Sequence, residues 1–267
     1  MNPTKSKLFR WESPFCVVID GNIGVGKSSV LDDLKQMVPS FRIIQEPVEA
    51  YSYYSYNSQT FNPLACMYQK QAETAIVQDF IIDQSYKHYD SSLGFFRSTV
   101  VSEERDRAIV CERHVLSAHP FISTYHQKGA LSDFAAAYLH NKVDNFSVCS
   151  LNPNLVIFLD LPSKDAKVRI DQRERVSEGH LDLEFLDLLQ TNMLQFYRDL
   201  EAREGISLIV MELKAEWPTE YVAEKVSVMV KACITEWRQE LNKRRLEDER
   251  SKQSWIKSLR ATECDDE

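Results

Sequence analysis

The stretch Phe15–Ser28, FCVVIDGNIGVGKS, decides the fold. It opens as a continuous apolar run closed by Asp20. Gly21-Asn-Ile-Gly-Val-Gly-Lys-Ser28 follows at once and matches GxxxxGK[ST] in full. Ser28–Met37 then carries a helix pattern. Strand, glycine-rich turn and helix N-terminus in this order make a phosphate cradle. The glycines let backbone N–H groups wrap phosphate oxygens, and the helix end adds partial positive charge. Lys27 suits the β- and γ-phosphates, and the Ser28 hydroxyl suits Mg²⁺. The candidate nucleotide site is therefore Gly21, Asn22, Ile23, Gly24, Val25, Gly26, Lys27, Ser28 and Ser29. It implies a nucleoside triphosphate but not yet a reaction.

Four more short apolar runs follow, at Arg42–Glu46, Ala108–Cys111, Leu155–Leu161 and Ser207–Glu212. They are continuous rather than alternating, which suits strands buried on both faces of a parallel sheet. Segments long enough for crossover helices separate them. The pattern predicts an α/β P-loop fold, three-layered and doubly wound, with a five-stranded parallel sheet. Long helices are expected over Phe61–Tyr89, much of Val115–Asp144, Leu181–Glu204 and from Pro218 to Trp237. The reading gives one domain over residues 1–240 and a charged extension over 241–267, a solvated helix or frayed tail. Tyr51–Tyr56, YSYYSY, reads as a mobile surface loop.

At 267 residues and a net charge of −8, the chain has a full core's worth of sequence and no basic excess. A general nucleic-acid partner is not expected, because phosphate neutralisation needs a basic face. No apolar run reaches the roughly 18 residues of a membrane span. The six cysteines are scattered with no CxxC pair, so reduced thiols in the cytoplasm are the simple reading. Lys5, Lys7 and Arg10 precede the first acid, Glu12, which leaves an organelle-targeting remnant open.

Three constellations narrow the reaction. The second strand ends in Glu46-Pro-Val-Glu49, and ligands of open α/β sheets bind beyond the carboxyl ends of strands. A carboxylate there can accept the proton of an attacking hydroxyl. Taken alone, Glu46 reads as a glutamate at an ordinary strand exit. The third strand ends in Cys111-Glu112-Arg113-His114. Glu112 suits Mg²⁺, and Arg113 suits charge developing on a transferred group. Arg169, Arg173 and Arg175, with Glu178 beyond them, form a cationic cluster able to close over phosphates as a lid at about 169–180. A salt-bridged exposed helix is the alternative there. Asn141-Lys-Val-Asp144 mimics a guanine-reading motif, but it ends a helix pattern and no DxxG follows the third strand.

Taken together, these residues resemble the deoxynucleoside kinase family, from the P-loop to about residue 233. The resemblance implies ATP and Mg²⁺ as cofactors, a deoxynucleoside as substrate, and a homodimer. It implies Glu46 as general base, Lys27 and Arg113 as catalytic partners, and Ser28 and Glu112 on the metal. Gln78 would pair with the base edge, and Tyr68 with Glu178 would hold the sugar 3′-hydroxyl. Arg169, Arg173 and Arg175 match the lid arginines, and Trp217 falls where an aromatic packs near adenine. Tyr51, Ile81, Ser85, Ala118, Phe121 and Ile122 fall on the base-pocket walls. There are departures. His114 stands where cellular members have Ser, as in herpesviral enzymes. Tyr51 stands where Trp is common, and Ile122, with Phe121 beside it, where an aromatic is common.

The resemblance also bears on the base. In deoxycytidine and purine kinases of the family an Arg–Asp pair fills the positions held here by Ser85 and Ala118. Two small uncharged residues leave room for a thymine methyl or a larger 5-substituent. A pyrimidine preference with thymidine accepted is expected. The rivals are a thymidylate kinase, which needs extra cations for its acceptor's phosphate, and a non-catalytic ATP-binding module, which has no use for Glu46.

Overall fold

The computed structural model describes residues 14–69, 72–99, 108–173 and 181–263. In chain order the elements are β1 (Phe15–Gly21), α1 (Lys27–Met37), β2 (Arg42–Ile44), α2 (Val48–Tyr51), β3 (Tyr54–Tyr56), β4 (Gln59–Phe61), α3 (Pro63–Tyr68) and α4 (Thr74–Thr99). After these come β5 (Ala108–Glu112), a single 3₁₀ turn (Val115–Ser117), α5 (Ala118–Gln127), α6 (Asp133–Cys149), β6 (Leu155–Asp160), α7 (Ser163–Arg173), α8 (Leu183–Glu204), β7 (Ser207–Glu212) and α9 (Thr219–Glu263). The chain divides into two compact units, Pro14–Ser227 and a second that includes Val228–Glu267.

Five parallel strands pair in the order β2-β5-β1-β6-β7. The all-apolar runs predict this: every residue of β1 and β5 is buried. β1 lies at the centre, so the loop after it opens at the middle of the carboxyl edge. That is where neighbouring strands diverge to opposite faces of the sheet. α8 covers one face through Phe185, Leu186, Leu189, Met193, Tyr197 and Leu200, a stripe at helical spacing. Leu189 is fully buried in this core, so Leu189→Ala would cost about 2–5 kcal/mol. The Asp182 side chain caps α8 by accepting from Phe185 N, and Gly205 closes it at φ 66°.

The structure corrects the local reading in three places. The Tyr-rich stretch is not an irregular loop: Tyr54–Tyr56 pairs antiparallel with Gln59–Phe61 around Asn57 and Ser58, both left-handed. The helix expected over Phe61–Tyr89 is two, α3 capped by Asn62 and α4 starting at Thr74. The helix expected over Val115–Asp144 is broken at Gly129, φ 71°, and restarts at Ser132, whose hydroxyl caps α6. The last helix runs past Trp237 to Glu263, and residues 242–252 are exposed on every side.

Candidate active site

The P-loop connects β1 to α1. Gly26 precedes the helix at φ 94°, a backbone that L side chains rarely adopt. Gly24 sits at φ 84° against α7, where a Cβ would come 2.6 Å from Ala166 O. Lys27 is buried, and its Nζ donates to Gly21 O (3.2 Å) and Asn22 O (2.9 Å). Burial, then the nearby Arg113 charge, lowers its pKa to about 8. The Ser28 hydroxyl donates to Glu112 Oε1 at 2.8 Å, and Glu46 N donates to Glu112 Oε2 at 3.3 Å. One carboxylate thus ties the P-loop to the ends of β2 and β5.

Beside it lies Arg113, whose backbone is left-handed at φ 59°. Its N–H donates to Ile19 O at 3.1 Å, and the twist turns the guanidinium back over the strand ends. Nε reaches Glu46 Oε2 at 3.1 Å, and Nη1 reaches Asp20 Oδ1 at 2.8 Å. The guanidinium carbon lies 4.9 Å from the Phe121 ring centroid. Burial raises the pKa of Glu46, while Arg113 and Lys27 pull against it. Burial opposes the charge on Arg113, but Asp20, Glu46 and Glu112 together push its pKa up.

A hydrogen-bonded ring holds this arginine from behind. Asp20 Oδ2 accepts from the Tyr197 hydroxyl, and Tyr197 bonds the Ser117 hydroxyl at 2.9 Å. Ser117 Oγ accepts from His114 N at 3.0 Å. His114 adjoins Arg113, so the ring closes on the residue it orients. The His114 ring caps the 3₁₀ turn, with Nδ1 accepting from Leu116 N at 3.2 Å. Burial lowers its pKa to about 4, so it is a neutral structural cap. Asp20, Ser117 and Tyr197 are absent from the sequence-based site. An aspartate closing an apolar strand was the one visible signal.

These groups open onto a cavity of about 270 Å³. It is lined by Ile23, Gly24, Gly26, Lys27, Ser28, Ser29, Glu46, Glu112 and Arg113 at the sheet end. Tyr51, Tyr68, Gln78, Ile81, Ser85, Ala118 and Phe121 line its other walls, and Arg173 reaches it from α7. Gln78 is buried, with Nε2 at 3.6 Å from Met67 Sδ. Tyr68 is hydrogen-bonded to Tyr125, which also lines the cavity. The Tyr51 and Ser85 hydroxyls are hydrogen-bonded to each other.

Some predicted site residues lie elsewhere. Ile122 is fully buried in the core; one step along α5 turns the chain by about 100°, so Phe121 takes the wall instead. The Asn22 side chain donates to Leu186 O at 2.8 Å, and Val25 is buried. Arg169 does not line the cavity. It clamps Val25 O (3.1 Å) and Ala215 O (3.0 Å), bracing the P-loop against the loop after β7. Trp217 is outside the cavity, edge-on to Tyr221 with centroids 5.1 Å apart, and Lys214 and Lys225 flank it. Arg175 and Glu178 lie outside the described residues.

The pair Ser28 and Glu112 fits a small hard cation. Both donors are oxygen, they are in contact, and they adjoin the phosphate cradle. Mg²⁺ needs only one or two protein oxygens when waters and phosphates complete its shell.

Known proteins resemble this one in sequence and in fold. A curated deoxyguanosine kinase of Dictyostelium discoideum is 22% identical over 197 residues, which is 73% of this chain and 63% of that protein. The chain thus spans less than two thirds of that relative's length. The fold resembles deoxyadenosine kinase from M. mycoides with bound dCTP, with a TM-score of 0.63 at 19% identity, over 82% of this chain and all of that one. The same kinase with bound dATP gives a TM-score of 0.60 at 17% identity, over 81% of this chain. Residues 17–235 match the model of the family described as deoxynucleoside kinase, and the chain belongs to that family.

Proposed function

We propose that this protein transfers the γ-phosphate of ATP to the 5′-hydroxyl of a deoxynucleoside, giving the monophosphate for nucleotide salvage. The observation that carries the reading is Glu46 held by Arg113 at 3.1 Å on the wall that also presents Lys27 and Ser28. A carboxylate, a phosphate-binding lysine and an arginine then face one space, where a hydroxyl and a phosphate can meet. Glu46 takes the 5′-hydroxyl proton as the oxygen attacks the γ-phosphorus, and the bond to the ADP oxygen breaks. Arg113 and Lys27 face the charge on the transferred group. Ser28 and Glu112 would hold Mg²⁺, which supplies further charge neutralisation when bound. Gln78 reads the base edge, and Arg173, with Arg175, forms part of the lid. Trp217 is assigned to the adenine side, since Arg169 ties the loop before it to the P-loop.

Ser85 and Ala118 on the cavity wall support a pyrimidine, thymidine included. The relatives named above are a deoxyguanosine kinase and a deoxyadenosine kinase, so base choice is a property to be measured on this chain. A homodimer is supported by α6, whose outward residues Phe134, Tyr138 and Val148 are exposed at 81%, 52% and 70%. Among the described residues, free thiols at Cys16, Cys66, Cys111 and Cys233 accord with the cytoplasm, and no helix is long and apolar enough to cross a membrane. The test incubates the protein with Mg-ATP and each of the four deoxynucleosides, and separates the products by chromatography. Thymidine and deoxycytidine monophosphates are expected; no monophosphate from any nucleoside overturns the reading.

A further inference from the structure

Among the described residues two amide side chains line the cavity. Gln45 is committed: its Nε2 donates to Asp32 Oδ1 at 2.8 Å and to Ser28 O at 3.4 Å. Gln78 meets, among the described residues, only the weak sulfur acceptor of Met67, so its carboxamide is the one able to read a donor–acceptor edge. With the 5′-hydroxyl end at Glu46 and the base at Gln78, the carbon-5 side of an anti base faces back toward the 5′ end. An N3/C4 edge on Gln78 then sets ring carbon 5 beside it. From Gln78 the cavity extends along α4, seven residues and about 10 Å, past Ser85 toward Tyr89, which packs against the sheet.

That extension is not an apolar slot. Tyr51, 3% exposed, sends its hydroxyl to Ser85, and both line the cavity. The two hydroxyls own two hydrogens, and their mutual bond uses one. Among the described residues no second partner is recorded for either. Ala118, which also lines the cavity, offers a methyl group. A guest that seals this end with hydrocarbon buries an unmatched O–H, which is costly. A guest with an oxygen there accepts it.

We infer that the cavity selects pyrimidine deoxynucleosides carrying a hydroxyl-bearing group on ring carbon 5, of the hydroxymethyl type, read by Tyr51 and Ser85. This rests on the nucleoside kinase reading above. The test compares kcat/KM for 5-hydroxymethyl-2′-deoxyuridine and 5-ethyl-2′-deoxyuridine, which differ by O–H against CH₃ at nearly constant shape, with thymidine as reference. The expected preference for hydroxymethyl over ethyl is about tenfold, the size of one net hydrogen bond. In Tyr51→Phe, Ser85→Ala and the double variant, that ratio should collapse toward one, whatever happens to absolute rates. A wild-type ratio at or below one overturns the inference even if thymidine is a good substrate. A ratio that survives in the double variant overturns the residues assigned. No turnover of any nucleoside overturns the kinase reading and this inference with it.

Discussion

The Tyr197 hydroxyl hydrogen-bonds the Asp20 carboxylate across 177 positions of sequence. Asp20 in turn holds Arg113, so a residue on the covering helix α8 fixes an arginine at the sheet edge. Tyr197→Phe keeps the buried ring and deletes that bond. We expect kcat to fall on the order of tenfold with KM within about twofold, the pattern of a group acting on the transition state. The acid limb of kcat should also move to higher pH, because a looser Arg113 holds the Glu46 pKa down less. Steady-state kinetics across pH check both. A melting temperature that drops while kcat and its pH profile stay put would leave Tyr197 as packing alone.

Glu46→Gln should bind nucleoside but lose about 10²–10⁴-fold in kcat, the usual share of a general base. The swap keeps an oxygen acceptor for Arg113. Binding calorimetry and single-turnover rates separate the two effects. A variant within a few-fold of wild type removes Glu46 from the mechanism.

The lysine of the cradle predicts a basic limb. Burial holds the Lys27 pKa at about 8 in the free protein, and phosphate binding needs the charged form. Charge is present below that pH and lost above it. The kcat/KM for ATP should therefore fall about tenfold per pH unit above 8, since this constant reports the free enzyme. In Lys27→Arg the limb should vanish from this range, because a guanidinium stays charged. A limb unchanged in that variant assigns it to another group.

Base choice is tested by Ser85→Arg with Ala118→Asp. Introduced together, the two charges can pair within the wall rather than stand alone in it. Thymidine kcat/KM should drop at least tenfold relative to deoxycytidine, as the space beside ring carbon 5 closes. Thymidine use untouched by the double variant would show that these positions do not face the base.

Much of this site was readable because its parts are local. Phe15–Ser28 states strand, cradle and helix in one stretch, and Glu46, Glu112 and Arg113 each follow an apolar run that reads as a strand, although β2 at the sheet edge is only partly buried. What stayed hidden depends on contacts between distant segments. Nothing near Tyr197 marks it as the partner of Asp20. Ile122 and Phe121 are both plausible walls until the rotation of α5 chooses one. Arg169 looked like a lid residue beside Arg173, yet the two face different surroundings, and only Arg173 reaches the cavity. The end of α3 at Tyr68, the start of α4 at Thr74 and the turn at Gly129 fall at short polar stretches that a helix pattern spans as readily as a turn.

The hairpin β3–β4 sits inside a longer excursion that leaves the sheet after β2 and returns at β5. That excursion supplies Tyr51, Tyr68, Gln78, Ile81 and Ser85, whereas Glu46, Glu112 and Arg113 stand at or within two residues of strand ends and Lys27 and Ser28 open α1. Chemistry and recognition are thus encoded in largely separate cassettes of the gene. Grafting the excursion of a relative onto this sheet should transplant much of its base preference while leaving phosphoryl transfer intact. The turn at Asn57 and Ser58, exposed and outside the five-stranded sheet, is a place where length can drift without disturbing either cassette.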